Sequence, residues 1–111
     1  MEIVDTLKNG YKIIQNSEMF KFGIDAVLLS YFAFNQIRNN EKIIDLGTGN
    51  GIIPLLLAKS RAKTITGLEI QKENVEIAKK SIALNQLENK INVIQGDIKL
   101  VSKDFPKHSF D

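Results

Sequence analysis

The stretch Ile43-Ile44-Asp45-Leu46-Gly47-Thr48-Gly49-Asn50-Gly51 decides how this chain folds. A short apolar run leads directly into three alternating glycines, and the equally apolar Ile52-Ile53-Pro54-Leu55-Leu56-Leu57-Ala58 follows. The pattern predicts a buried strand, a tight loop and a helix. Glycines allow the sharp backbone turn and let a ligand approach to contact distance, where a Cβ would collide. Pro54 falls within the first turn after the loop, where a missing N–H is harmless, and it sets the helix start near Gly51. Amides at such a start suit an anionic group, phosphate or carboxylate alike.

Working outward, the same strand and helix signals repeat. Residues 63–70 (KTITGLEI) read as a second strand, Lys72 to Asn85 as a helix and 90–95 (KINVIQ) as a third strand. Two βαβ units are implied, which makes the class α/β with a parallel sheet. Val75, Ala78, Ile82 and Asn85 share one stripe of the second helix, and Lys72, Glu73, Glu76 and Lys80 form its solvated face. Upstream, alternation on both sides of Asn9-Gly10 predicts an N-terminal β-hairpin with a two-residue turn. Ile24, Leu28, Phe32 and Ile37 recur at helical spacing, so a helix is expected from Ile24 to Ile37, with Phe32 and Phe34 packed in the core. The chain thus divides into a hairpin and lead-in helix over 1–40 and the strand–helix repeat over 41–111. The tail from Lys99 to Asp111 reads as a short helix or loop, and its His108 as a surface histidine with no second ligand in view.

Composition narrows the function classes. With 111 residues, 43% of them hydrophobic, the chain has the size and apolar content of one small domain. A net charge of +2 is too low for a polybasic tail and neither demands nor excludes RNA. The lack of cysteine removes disulfides, thiolate metal sites and cysteine nucleophiles, and nothing calls for a metal. There is no basic leader at the start and no apolar run near the ~20 residues of a membrane span, so a soluble cytoplasmic protein without membrane contact is expected.

Two ligand classes use a strand, glycine loop and helix, and the spacing separates them. A dinucleotide fingerprint would put its third glycine at position 52, which is isoleucine. The spacing here is G-x-G-x-G with Asp45 two residues before Gly47, and this resembles the cofactor loop of S-adenosylmethionine-dependent methyltransferases. The resemblance implies that Gly47, Thr48, Gly49 and Gly51 cradle S-adenosyl-L-methionine and that Asp45 faces its ammonium. Glu69, 18 residues after Gly51 at the end of the second strand, can accept from vicinal ribose hydroxyls, with Ile70 beside it. A strand-end glutamate in solvent is the alternative. Asp97 after the third strand would meet the adenine amine, with the Ile98 amide available to a ring nitrogen.

The segment from Phe20 to Leu29 (FKFGIDAVLL) is similar to the lead-in of bacterial methyltransferases that modify the exocyclic amine of adenosine beside the anticodon of valine tRNA. Those proteins also begin with a β-hairpin. The likeness implies a Rossmann-like sheet, of which this chain holds the first half, and a tRNA acceptor, with Phe22 and Asp25 bordering the cofactor pocket. An N-capping role for Asp25 is the alternative. Family members continue after a Phe-Asp pair into a strand ending in Asn-Pro-Pro-Tyr, whereas this sequence stops at Phe110-Asp111. No catalytic residue is therefore assigned, and the 111 residues alone are expected to bind the cofactor weakly and to be inactive. In the family's sheet order, 3-2-1-4-5-7-6, the strand holding Ile43 to Leu46 would be left as an open edge prone to self-association. Ribosomal RNA, DNA and protein glutamine are other acceptors served by similar loops. A nicotinamide oxidoreductase and a non-catalytic binding module are the rival classes.

Overall fold

The computed structural model describes residues 2–16 and 24–100. Strands β1 (Glu2–Thr6) and β2 (Lys12–Asn16) pair antiparallel, with Thr6 opposite Lys12. Helix α1 spans Ile24–Gln36 and leads into β3 (Lys42–Leu46), the short α2 (Ile52–Leu56), β4 (Thr64–Glu69), α3 (Lys72–Leu84) and β5 (Ile91–Gln95). A single 3₁₀ turn follows at Ile98–Leu100. The three later strands form a parallel sheet in the order β3-β4-β5, with Ile43 beside Ile65 and Ile65 beside Ile91. The α/β reading, the hairpin and the strand order expected from the resemblance are all present.

The core lies around β4, buried along nearly its whole length because strands flank it on both sides. Ile65, Leu68, Ile91, Val93 and Leu55 are fully enclosed, with Ile52, Val75, Ala78 and Ile82 packed around them. Removing apolar surface from water at roughly 25 cal/mol per Å² makes this cluster the main stabilising contribution.

Helix α3 buries more than the predicted stripe, because Ile77 and Ser81 are covered as well. The hairpin explains the wider face. The open edge of β2 lies along α3: the Ile14 amide donates to Ser81 Oγ (2.8 Å) and the Lys12 amide to Asn85 Oδ1 (2.7 Å). Asn85 Nδ2 donates in return to the Lys12 carbonyl (2.6 Å), so one side chain completes the pairing that another strand would give. The hairpin turn also differs from expectation. Leu7 N–H donates to Tyr11 O and Gly10 N–H to Leu7 O, giving a three-residue loop with only Gly10 at positive φ (91°). Asn9 is occupied otherwise: its Oδ1 accepts from the Tyr11 amide and its Nδ2 donates to Leu55 O, pinning the turn to the end of α2.

Helix α1 forms where the periodicity places it, but its apolar face is open. Ser30 and Ile37 are buried, whereas Leu28, Leu29, Tyr31 and Phe32 are half or more exposed, Phe32 at 70%. Phe34, at 37%, is also outside the core, so the expected packing of both phenylalanines is corrected. Spacing shows which residues share a helix face, not whether a neighbour covers it. Among the described residues α1 packs on α2, and no strand lies beyond β3 to extend the sheet. Among those residues, too, no helix is long and apolar enough to cross a membrane.

Candidate functional site

Loop 47–51 lies across the carboxyl end of β4. Gly47, Gly49 and Gly51 all have positive φ (72°, 57° and 88°). The amides of Gly47 and Thr48 share the Leu68 carbonyl (2.8 and 2.9 Å), and the Gly51 amide closes on Thr48 O (3.0 Å). The Gly49 amide donates to Glu69 Oε1 (2.9 Å). These four amides are thus spent inside the protein. The glycines also divide in purpose. A Cβ on Gly47 or Gly49 would point into open space, the volume a bound ligand would fill, whereas one on Gly51 would sit 3.3 Å from Ala78 Cβ. Gly51 therefore also serves the packing of α2 on α3.

Thr48 turns its side chain inward, over a residue the sequence reading passed by. It is buried against Gly67 in β4, where an added Cβ would come within 2.7 Å of Thr48 Cγ2 and 2.8 Å of Oγ1. Gly67 keeps the loop seated on the sheet. A glycine inside a run of β-branched strand residues was the available signal.

Glu69 is buried, which excludes the solvent-exposed alternative. Besides holding Gly49 through Oε1, it accepts from the Gln71 amide (3.1 Å) and Asn74 Nδ2 (3.3 Å) through Oε2. One carboxylate thus fastens the glycine loop to the start of α3, and of its four or so acceptor positions about one remains for a ligand. Gln71 and Asn74 were not legible in the sequence as site residues, because their role depends on Glu69 reaching them.

Asp45 ends in the same place. Its Oδ2 is buried with no hydrogen-bond partner, and so is Thr48 Oγ1. Burial raises the Asp45 pKa above its ordinary value of 3.8; the nearby Thr48 hydroxyl lowers it in part, without a hydrogen bond of regular geometry, and the Glu69 carboxylate raises it further. A carboxyl whose pKa is raised on folding stabilises the fold fully below the unfolded value, and that contribution is lost as pH rises through the folded value. Asp45→Asn is therefore expected to raise the melting temperature at pH 7, with the gain disappearing below about pH 4. Thermal melts at both pH values check this, and an Asn variant less stable at pH 7 would contradict it.

The third part of the candidate site lies at the carboxyl ends of β4 and β5. Gly96 N–H donates to Glu69 O (2.9 Å) and Gln95 Nε2 to Ile70 O (3.2 Å), which holds Asp97 and Ile98 near the Glu69 end. Asp97 Oδ1 accepts from the Lys99 amide (2.9 Å), and the side chains of Ile70 and Ile98 are both more than half exposed. Asp25 is exposed in the first turn of α1, with no hydrogen bond to the glycine loop, and Phe22 lies outside the described residues, as does His108. The structure thus brings together Asp45, Gly47, Thr48, Gly49 and Glu69 and sets Ile70, Asp97 and Ile98 beside them. Among the described residues no cluster of three or more His, Asp or Glu could hold a metal ion.

A parallel sheet whose strand ends carry Asp45 and Glu69 around a glycine loop, with Asp97 just after the third strand, is a Rossmann-like arrangement. Comparison with known proteins agrees. A methyltransferase domain family matches residues 37–111, and the chain belongs to that family. Ribosomal protein L11 methyltransferase of Streptococcus equi subsp. zooepidemicus is 36% identical over 93 residues, covering 80% of this chain and 29% of the relative. The L11 methyltransferase of Exiguobacterium sibiricum is 33% identical over 64 residues, which is 58% of this chain and 20% of the relative. Methanocaldococcus jannaschii Trm5 in complex with adenosine superposes with a TM-score of 0.73 at 25% identity, over 86% of this chain and 30% of that one. This chain therefore spans under a third of the length of these relatives. The cofactor of the fold is S-adenosyl-L-methionine, and the open glycine cradle and unpartnered Asp45 oxygen fit it.

Proposed function

We propose that this chain forms the cofactor-binding half of a methyltransferase whose acceptor is the exocyclic amine of adenine in tRNA. The unpartnered Asp45 carboxylate below the open faces of Gly47 and Gly49 carries the cofactor part of this reading. A cationic methionine ammonium offers that buried oxygen a partner, whereas the pyrophosphate of a dinucleotide would be repelled by Asp45 and Glu69 together. The remaining acceptor position of Glu69 suits a ribose hydroxyl, and the exposed Ile70 and Ile98 suit the two faces of a base. When bound, the cofactor supplies an electrophilic methyl group, and the acceptor nitrogen displaces sulfur. The protein's part is positioning, which can supply several kcal/mol of the barrier without acid–base groups.

The likeness of Phe20 to Leu29 to the tRNA enzymes supports the tRNA acceptor. A protein acceptor is the second reading, favoured by the name of the 36%-identical streptococcal relative. Labelled methyl transfer to tRNA and to ribosomal protein L11, offered side by side to the protein carrying this domain, decides between them. The cofactor reading is tested separately. S-adenosylhomocysteine at a hundred times its dissociation constant should stabilise the chain by about 2.7 kcal/mol, a rise of roughly 10 °C or more in melting temperature, and NADH should not. Equal shifts from both would overturn it.

Among the described residues β3 has an unpaired edge, and α1 leaves Leu28, Leu29, Tyr31 and Phe32 exposed. Self-association through these surfaces is the expected behaviour of the isolated chain. Sedimentation should show mass rising with concentration, and Leu29→Glu with Phe32→Glu should restore a monomer. A wild-type monomer at high concentration with β3 amides protected from exchange would refute it.

A further inference from the structure

The two ends of the parallel sheet carry opposite charge. At the carboxyl end stand Asp45, Glu69 and Asp97. At the amino end, Lys42 opens β3, Lys63 precedes β4 and Lys90 precedes β5. Backbone bonds draw further basic residues to this end. Asn40 N–H donates to Arg61 O (3.0 Å), Lys63 N–H to Glu41 O (2.8 Å) and Ile65 N–H to Lys90 O (2.8 Å), and Arg38 is joined to Glu41 through its amide. The hairpin turn comes to the same place, because Lys59 Nζ donates to Asn9 O (2.7 Å) and stands over the Tyr11 ring. Lys8 and Lys12 flank that turn. Among the described residues eight Lys and Arg side chains therefore belong to this end, with Glu41 and Glu88 as acidic neighbours.

Mixed charge on the outer face of α3 marks the contrast. Lys72 and Lys80 there pair with Glu76 and Glu2, and Glu73 lies between them. A face that exists only for solvation mixes both signs in this way, whereas basic residues predominate at the amino end of the sheet among the described residues. Lys90 adds a second distinction: its ammonium is partly desolvated, and burial lowers its pKa from the ordinary 10.5. Its Nζ donates to Ser60 O (2.7 Å), and further donors can serve an anion.

We propose that the amino end of the parallel sheet, formed by Arg38, Lys42, Lys59, Arg61, Lys63 and Lys90, docks the phosphate backbone of the RNA acceptor. This rests on the RNA reading of the acceptor and says where that RNA is held. A strand of five or six residues spans about 17–20 Å at roughly 3.3 Å per residue, so a ligand touching this surface and the cofactor end must bridge that distance. A folded RNA does so readily, presenting closely spaced backbone phosphates along its duplex axis. The acidic cofactor end would repel the same backbone, so the field of the domain orients the RNA as it arrives.

The test compares two double variants with equal loss of charge, Arg61→Ala with Lys63→Ala and Lys72→Ala with Lys79→Ala, all at exposed side chains. Fluorescence anisotropy with an unmodified tRNA transcript is measured from 50 to 300 mM salt. The first pair should weaken binding tenfold or more at 100 mM and flatten the log–log salt slope by about 1.4–1.8, the release expected for two phosphates. The second should change affinity less than threefold. Equal effects of the two pairs would refute the docking surface while leaving the RNA acceptor in place. No binding to tRNA by the unaltered chain would overturn both readings, and tight binding to ribosomal protein L11 in its stead would move the acceptor to protein.

Discussion

Glu69→Ala is expected to remove both the cofactor response and much of the stability of this domain. The Glu69 carboxylate accepts from the Gly49 amide, the Gln71 amide and Asn74 Nδ2, and the residue is buried. Truncation leaves two backbone donors without acceptors in a partly buried setting, at about 1–2 kcal/mol each, and opens a void beside them. A loss of about 3–5 kcal/mol is large against the roughly 5–15 kcal/mol that holds a domain folded. The melting temperature should fall by 15 °C or more, and S-adenosylhomocysteine should no longer shift it. Glu69→Gln, which keeps one oxygen but turns an N–H₂ toward an amide donor, should fall in between. Fast amide exchange at Gly49 in Glu69→Gln, with β4 still protected, would locate the damage in the loop. A Glu69→Ala protein with the parent's melting temperature would show that the carboxylate does not organise this site.

Gly67→Ala should be the next most damaging change, although it adds a single methyl group. That carbon would lie 2.7–2.9 Å from three atoms of Thr48, inside the distance real Cβ atoms keep. Gly67 sits in the central strand, paired with Asp45, so β4 cannot yield without disturbing the sheet. The loop must move instead, at about 1–3 kcal/mol for overpacking, and cofactor affinity should drop tenfold or more as the cradle shifts. Thr48→Ala removes the two nearest of those atoms and the unpartnered hydroxyl, so alone it should be nearly neutral in stability. In the double variant it should recover about 0.5–2 kcal/mol of the loss. Strict additivity of the two changes in a thermodynamic cycle would show that Thr48 and Gly67 do not meet.

Local pattern alone makes the elements and the candidate strand-end residues legible. Lys42–Leu46 reads as a strand because it is short, apolar and followed by three glycines, and those glycines do take positive φ. Glu69 and Asp97 were legible because chain distance within a βαβ unit sets strand-end positions. Such features depend on local periodicity and on steric limits of single residues, which any contiguous stretch displays.

Partners distant in sequence emerge only from the packing of the elements. The periodicity of α1 gave no warning that Phe32 would be exposed, because burial depends on what lies across from the helix. Gly51 and Gly49 look alike in the loop, yet one is required by Ala78, 27 positions away, and the other faces open space. The Asp45 carboxylate holds a buried oxygen without a protein partner, which the pattern of its strand does not reveal. Contacts of this kind join residues that the chain keeps far apart, and only the packed fold, by excluding water from some of them and not from others, assigns each polar atom its partner or leaves it to a ligand.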